Sequence, residues 1–178
     1  MSSIADRVVS WGKDFLRSDA PKRPSLFWRL QRGFIFTVLN KLIGISIPFV
    51  RRNHFRVVEL RTGYLKAVIP LRGNKNHFGT MYAGAIFMLA EVPGGVVSLF
   101  EYGSGYYPIL KELKIRYLLP ATSDLTNEVS LTQAELDAIR QTADEKGKSD
   151  FTLTLDLKDV NGVVVAQSVA LYQLRVKR

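Results

Sequence analysis

The chain has no cysteine and only two histidines, His54 and His77, in 178 residues. Without cysteine there is no disulfide, no zinc-thiolate centre and no thiol nucleophile, and a reducing compartment is allowed. Two histidines without a His/Glu spacing pattern give no reason to expect a metal. The N-terminal residues lack the uninterrupted apolar core and small-residue cleavage site of a secretory leader, so the expected location is the cytoplasm. No basic helix is interleaved with base-stacking aromatics, which places nucleic acid last among partners. Internal repeats and low-complexity segments are also missing.

What is present suits one globular domain with a sizeable core: 47% of residues are hydrophobic. The net charge of +9 is uneven. Residues 1–72 hold 14 Lys/Arg against 4 Asp/Glu, whereas residues 73–178 hold 11 against 12. The basic N-terminal part fits anionic lipid or a phosphorylated cofactor. Residues 4–17 read as a short amphipathic helix lined by Ile4, Val8, Trp11 and Phe15, and Ser18 to Pro24 as a linker. Ser25 reads as the N-cap of a helix from Leu26 to about Leu42. The nearly apolar run Phe34–Val50 is interrupted by Asn40, Lys41 and Pro48 and sits at the lower limit for spanning a bilayer. Packing onto the domain is the preferred reading. Peripheral contact with the inner face of a membrane through residues 1–44 stays open. This divides the chain into a helical extension, 1–44, and a domain, 45–178.

From Asn53 the apolar period changes to two. The runs around Phe55–Leu60 and Tyr64–Ile69 flank Thr62-Gly63 as a hairpin. Tyr106 to Leu119 reads as a long strand ended by Pro120, and Asp124 to Leu131 as another. Thr132 and Glu135 form a capping box for a polar helix that stops at Gly147. Phe151–Leu157 alternates, Asn161-Gly162 marks a hairpin, and Val163–Val176 returns as the last strand.

Between the two groups of strands lies the most apolar helical pattern in the chain, roughly residues 80–101. One stripe is bulky: Tyr82, Ile86, Leu89, Pro93, Val96 and Phe100. Another is mostly small: Gly84, Met88, Glu91, Gly95 and Ser98. Small residues permit close approach of another backbone. Pro93 removes a donor from the helix and Gly94-Gly95 weaken it, which predicts a kink or a close neighbour. Glu91 reads as the one buried acid. Such a carboxylate is costly unless paired, hydrogen-bonded or used, and pairing with an arginine and a role in catalysis are both consistent with the residues. Gly84 and Glu91 are seven residues apart, about 10 Å along one helix face. One substrate bound at Gly84 is therefore hard for Glu91 of the same chain to reach. If both act on it, the carboxylate comes from a second chain.

The segment Asn76-x-x-Gly79-Thr80-Met81-Tyr82-Ala83-Gly84, followed by Leu89-Ala90-Glu91 and by the Asp159–Ala166 hairpin, resembles the hotdog-fold thioesterases. It looks like the phenylacetic-acid-pathway (PaaI-like) branch, and especially its DUF4442 (YiiD C-terminal-like) relatives, over roughly residues 45–176. The resemblance implies an α+β hotdog fold, an antiparallel sheet wrapped around one long central helix, here with two extra N-terminal helices. It implies an acyl-CoA or acyl-carrier thioester as substrate, coenzyme A entering only as part of that substrate, and no other cofactor. It implies a homodimer, or a dimer of such dimers, with the site shared between chains. Asn76 matches the family Asn that orients substrate or water. Tyr82 stands where active members carry His, Ala83 and Gly84 stand for the Gly-Gly that meets the thioester oxygen, and Glu91 stands for the catalytic Asp. The expected catalytic set is Glu91, Asn76, Gly84 and Tyr82, with His77, Ala83, Ala85 and Met88 on the substrate side. Arg51, Arg52, Lys111, Lys114 and Arg116 are candidates for the phosphates of coenzyme A. The exchange of His for Tyr82 keeps a second reading alive, a non-catalytic hotdog protein that binds acyl chains or acyl-thioesters. A dehydratase fits less well, because the matched segment lacks the family His.

Overall fold

The computed structural model describes residues 14–17 and 25–177. The helix expected over residues 4–17 therefore lies mostly outside the described residues. Its last turn, 14–17, is helical and docks on the domain: Phe15 packs against Trp28, with ring centroids 5.7 Å apart, and the Arg17 guanidinium lies over Phe100.

Helix α1 (Leu26–Ser46) starts at Ser25, whose hydroxyl accepts the Trp28 N–H. It runs past the expected end near Leu42, because nothing in Ile43–Ser46 breaks a helix before Pro48. Pro48 then opens a short helix, α2 (Pro48–Arg52). The apolar run Phe34–Val50 is thus broken at Ile47 and forms no continuous span. Asn40 fastens α1 to the sheet: its side chain donates to the Val57 carbonyl at 2.9 Å and accepts the Val57 N–H at 2.8 Å.

The sheet has six strands: β1 (Arg56–Arg61), β2 (Tyr64–Ile69), β3 (Tyr106–Tyr117), β4 (Leu125–Ser130), β5 (Lys148–Lys158) and β6 (Val164–Val176). Their order is β1-β2-β4-β5-β6-β3, every pairing antiparallel. Alternation decides which face is inside. In β5, Phe151, Leu153, Leu155 and Leu157 are buried while their neighbours are exposed. Asp159 shapes the β5–β6 turn by accepting the N–H groups of Asn161 and Val163, both at 2.9 Å.

Against the inner face lies α3 (Ala83–Tyr102), packed on β2 through β6. It is long and apolar enough to cross a membrane, but most of its surface is covered by the sheet, as in a core helix. The polar helix α4 (Gln133–Lys146) carries the expected capping box, and Gly147 caps its end in the left-handed region. This is the antiparallel sheet around one long helix that the sequence pattern anticipates.

Two expectations about α3 need correction. Glu91 is not the one buried acid. Glu101 is the more deeply buried, 8% exposed, with Oε1 accepting the Gly63 N–H at 2.8 Å. Of the Gly94-Gly95 pair, Gly94 is the one with a close neighbour inside the protomer. A Cβ on Gly94 would meet the Tyr172 ring at 2.3 Å, whereas one on Gly95 would meet nothing within 4 Å. Met88 and Ser98, placed on the small stripe with Glu91, are turned into the core at 2% exposure each. The stripe left uncovered by the sheet runs Gly84, Phe87, Glu91, Gly95, Leu99.

Candidate active site

The loop before α3 is built by two asparagines. Asn74 is buried. Its side-chain amide donates to the carbonyls of Asn53 and Pro70, and its backbone carbonyl accepts the Tyr82 N–H at 2.7 Å. Asn76 organises the next turn. Its Oδ1 accepts the N–H groups of Phe78 and Thr80, and its Nδ2 donates to the Thr80 hydroxyl. An asparagine closes such a turn because its short amide reaches backbone two and four residues on. Gly79, at φ +82°, supplies the left-handed residue the turn needs. Asn76 is thus engaged within its own loop. His77 is exposed and lies against Phe78, with ring centroids 3.8 Å apart and the rings tilted by 43°.

Tyr82 is the N-cap of α3 without a side-chain cap bond, and its N–H is already spent on Asn74. Its ring is 60% exposed and lies back over Gly84, so that a Cβ on Gly84 would meet Cε1 at 2.6 Å. Ala83 is exposed, whereas Ala85 and Met88 are in the core. Tyr117, which the sequence gave no reason to single out, reaches the same helix start from the edge strand β3. Its hydroxyl lies 3.5 Å from the Ala83 carbonyl, and partial burial raises its pKa. The first intrahelical and cap bonds to Tyr82 are made by Ala85 and Ile86, which leaves the Ala83 and Gly84 N–H groups at the free end of the helix. Partial positive charge collects there.

About two turns further on, Glu91 is half-buried, and burial raises its carboxyl above the ordinary 4.5. The ion pairs among the described residues are Arg17–Glu101, Lys66–Glu128 and Lys114–Glu112. The pairing of Glu91 with an arginine of its own chain is not found among them. Its backbone carbonyl accepts the Tyr172 hydroxyl, which fixes the turn that carries it. The carboxylate therefore sits at the open stripe of α3 with its side-chain oxygens uncommitted among the described residues. Besides Tyr117, sequence reasoning did not single out Tyr172, which reaches α3 from β6, or Glu101, which reaches from α3 to a turn 38 residues away. Among the described residues no three His, Asp or Glu side chains cluster as a metal site would require.

Arg51, Arg52, Lys111, Lys114 and Arg116 are all exposed. Lys114 pairs with Glu112 at 3.2 Å.

A family model described as a domain of unknown function, DUF4442, matches residues 37–172. A Pseudomonas aeruginosa protein of solved structure, described as a probable thioesterase, is 41% identical, with a TM-score of 0.73 over 79% of this chain and 95% of its own. A Chlorobaculum tepidum protein of unknown function matches at TM-score 0.72 and 14% identity, over 80% of this chain and 95% of its own. A Haemophilus influenzae thioesterase matches at TM-score 0.62 and 15% identity, over 79% and 90%. At such identities these last two speak for the fold alone. Curated protein sequences give no match.

Proposed function

Since the chain belongs to the DUF4442 family, within the hotdog-fold thioesterase superfamily, we propose that it hydrolyses an acyl-thioester, with coenzyme A as the expected carrier. The observation that carries this reading is Glu91: a half-buried carboxylate with a raised pKa and no ion-pair partner among the described residues, on the uncovered stripe of the central helix. The P. aeruginosa relative, described as a probable thioesterase, supports the same class.

The mechanism follows from the two ends of that stripe. The thioester carbonyl sits at the start of α3, where the Gly84 N–H and the helix dipole stabilise the oxygen as it gains charge. Glu91 then takes a proton from a water whose oxygen attacks the carbonyl carbon, or attacks that carbon itself to give an anhydride that water hydrolyses in a second step; in both cases the C–S bond breaks and the thiolate of the carrier leaves. The roughly 10 Å between these groups in one chain supports a carboxylate supplied by a second protomer. An antiparallel homodimer packed along the uncovered stripe sets Glu91 of one copy near the helix start of the other. Exposed Phe87 and Leu99 on that stripe support such packing. Tyr82 and Tyr117 border the carbonyl end, as wall and hydrogen-bond donors in place of an imidazole. Asn76 holds the loop in shape, and the cations of β3 are available to the carrier's phosphates.

Hydrolysis of short, medium, long and aromatic acyl-CoAs, read by free-thiol release with Glu91→Gln alongside, tests this. The expected result is turnover that falls at least about a hundredfold in the variant. Ligand binding by both proteins without any turnover would replace the enzyme with the acyl-binding reading that Tyr82 keeps open.

A further inference from the structure

Helix α1 presents its apolar side outward. Leu26, Phe27, Leu30, Phe34 and Ile45 are each more than 60% exposed. At 100° per residue they share one face, and the helix is about 30 Å long. Ile35, on the opposite face, is buried on the domain, whereas Gly44 is covered by the Arg51 side chain of α2. Asn40, bonded at both polar ends to Val57, fixes the helix in this rotation, so the outward face is held there by its contacts. Phe49 on α2, 56% exposed, continues the surface. Between Phe34 and Ile45 the same face carries exposed Thr37 and Lys41. Single exposed apolar residues are ordinary, but Leu26, Phe27, Leu30 and Phe34 grouped on one face mark a contact surface.

The flank of the same stripe is cationic. Arg29, Arg32 and Arg56 line a groove of about 750 Å³ between α1 and β1. None of them has an acidic partner among the described residues. The Arg32 guanidinium rests over Trp28 and Phe36, which holds it at the mouth of the groove. Residues 20–58 contain eight Lys/Arg and not one Asp/Glu. An apolar face beside an acid-free cationic flank is the chemistry of a helix lying in the surface of an anionic bilayer.

We propose that the outward face of α1 docks on an anionic lipid bilayer, with the apolar residues entering the acyl-chain boundary and Arg29, Arg32 and Arg56 meeting lipid phosphates. Charge complementarity selects this occupant over a second copy of the chain. Two such faces packed together would set arginine against arginine with no acid to offset them. The inference is independent of thioester hydrolysis, and a protein inactive on every thioester leaves it standing.

The test is cosedimentation of the full chain with vesicles of phosphatidylcholine alone and of phosphatidylcholine containing about one-third phosphatidylglycerol. Binding is expected on the anionic vesicles, at least about tenfold stronger than on the neutral ones, and weakened by salt. Phe27→Ser with Phe34→Ser is expected to lower it at least about tenfold. Arg29→Gln with Arg32→Gln is expected to lower it by about fivefold per cation removed. Both pairs are surface changes, and an unchanged Tm confirms the fold. Val160→Ser, an equally exposed apolar site on the β5–β6 turn, is expected to change nothing. Binding that survives the phenylalanine pair, or that is equal on neutral vesicles, overturns the proposal. So does an absence of binding, and a concentration-dependent oligomer lost on Phe34→Ser would then assign the face to a second copy.

Discussion

The side-chain amide of Asn127 donates to the carbonyl of Leu89 at 2.6 Å. That carbonyl is the acceptor Pro93 leaves without its helical donor. A strand residue thus completes the hydrogen bonding of the core helix at the one turn where the helix cannot do so itself, and α3 runs unbroken from Ala83 to Tyr102. The neighbouring irregularity is resolved from the same sheet: Gly94 lacks the Cβ that would collide with Tyr172.

Asn127→Ala strands a buried acceptor and is expected to cost about 1–3 kcal/mol, read by urea unfolding. Pro93→Ala restores an N–H to Leu89. The same Asn127→Ala change made in that background should cost measurably less, and the double-mutant cycle gives the coupling. Equal costs in both backgrounds would show that Asn127 acts through packing alone.

Gly94→Ala and Gly95→Ala make a controlled pair, since both gain about 1 kcal/mol of helix propensity. At Gly94 the new methyl collides with a ring that is 1% exposed and bonded to Glu91. Net destabilisation of about 1–3 kcal/mol is expected from overpacking. At Gly95 the space is open within the protomer. Unfolding there should show a gain, while a dimer packed through this stripe should dissociate more readily in sedimentation. A Gly95→Ala variant with undiminished self-association would move the interface off the small stripe.

The raised pKa of Glu91 has a definite sign. Burial makes the folded state hold this proton more tightly than the unfolded state does, so the charged form is the strained one. Glu91→Gln and the parent should therefore have equal Tm below the ordinary value of 4.5, and the variant should gain relative to the parent as pH rises from there through the raised value. In the proposed mechanism the carboxylate is the working form. The acid limb of kcat/KM is then expected above 4.5 rather than at it. A Tm difference independent of pH would remove the burial argument.

Glu101 separates structure from chemistry on the same helix. Its carboxylate holds the β1–β2 turn through the Gly63 N–H, and its backbone carbonyl accepts from Arg140 at 3.0 Å. Glu101→Ala is expected to cost about 1–3 kcal/mol through the unpaired N–H, with kcat of the folded fraction unchanged. A loss of kcat like that expected for Glu91→Gln would bring Glu101 into the mechanism.

The strands, the capping box at Thr132 and the turn at Asn161-Gly162 were legible because their signals are local. Alternation, side-chain reach and turn chemistry all act within a few residues. The rotation of α3 was not. A helix apolar nearly all round does not announce which side the sheet leaves open, so helical spacing groups Met88 and Ser98 with Glu91 although both are in the core. The burial of Glu101 was equally hidden, because it depends on a turn 38 residues away. Asn76 was legible as important, but its hydrogen bonds to Phe78 and Thr80 give it a place in the loop that the motif alone does not express. The outward apolar face of α1 shows as hydrophobicity in the sequence. Its direction shows only once Asn40 is seen on Val57.

The strand order β1-β2-β4-β5-β6-β3 has a consequence during synthesis on the ribosome. When α3 has been made, only the β1–β2 hairpin exists to shelter it. The strands that complete its cover, through Val176, are still untranslated. At 5–20 residues per second, the remaining stretch takes roughly 4–15 s. For that interval the nascent chain carries its most apolar helix largely unsheathed. A chain stalled before β6 would present that helix, and the unpaired edges of β3 and β5, to chaperones and proteases.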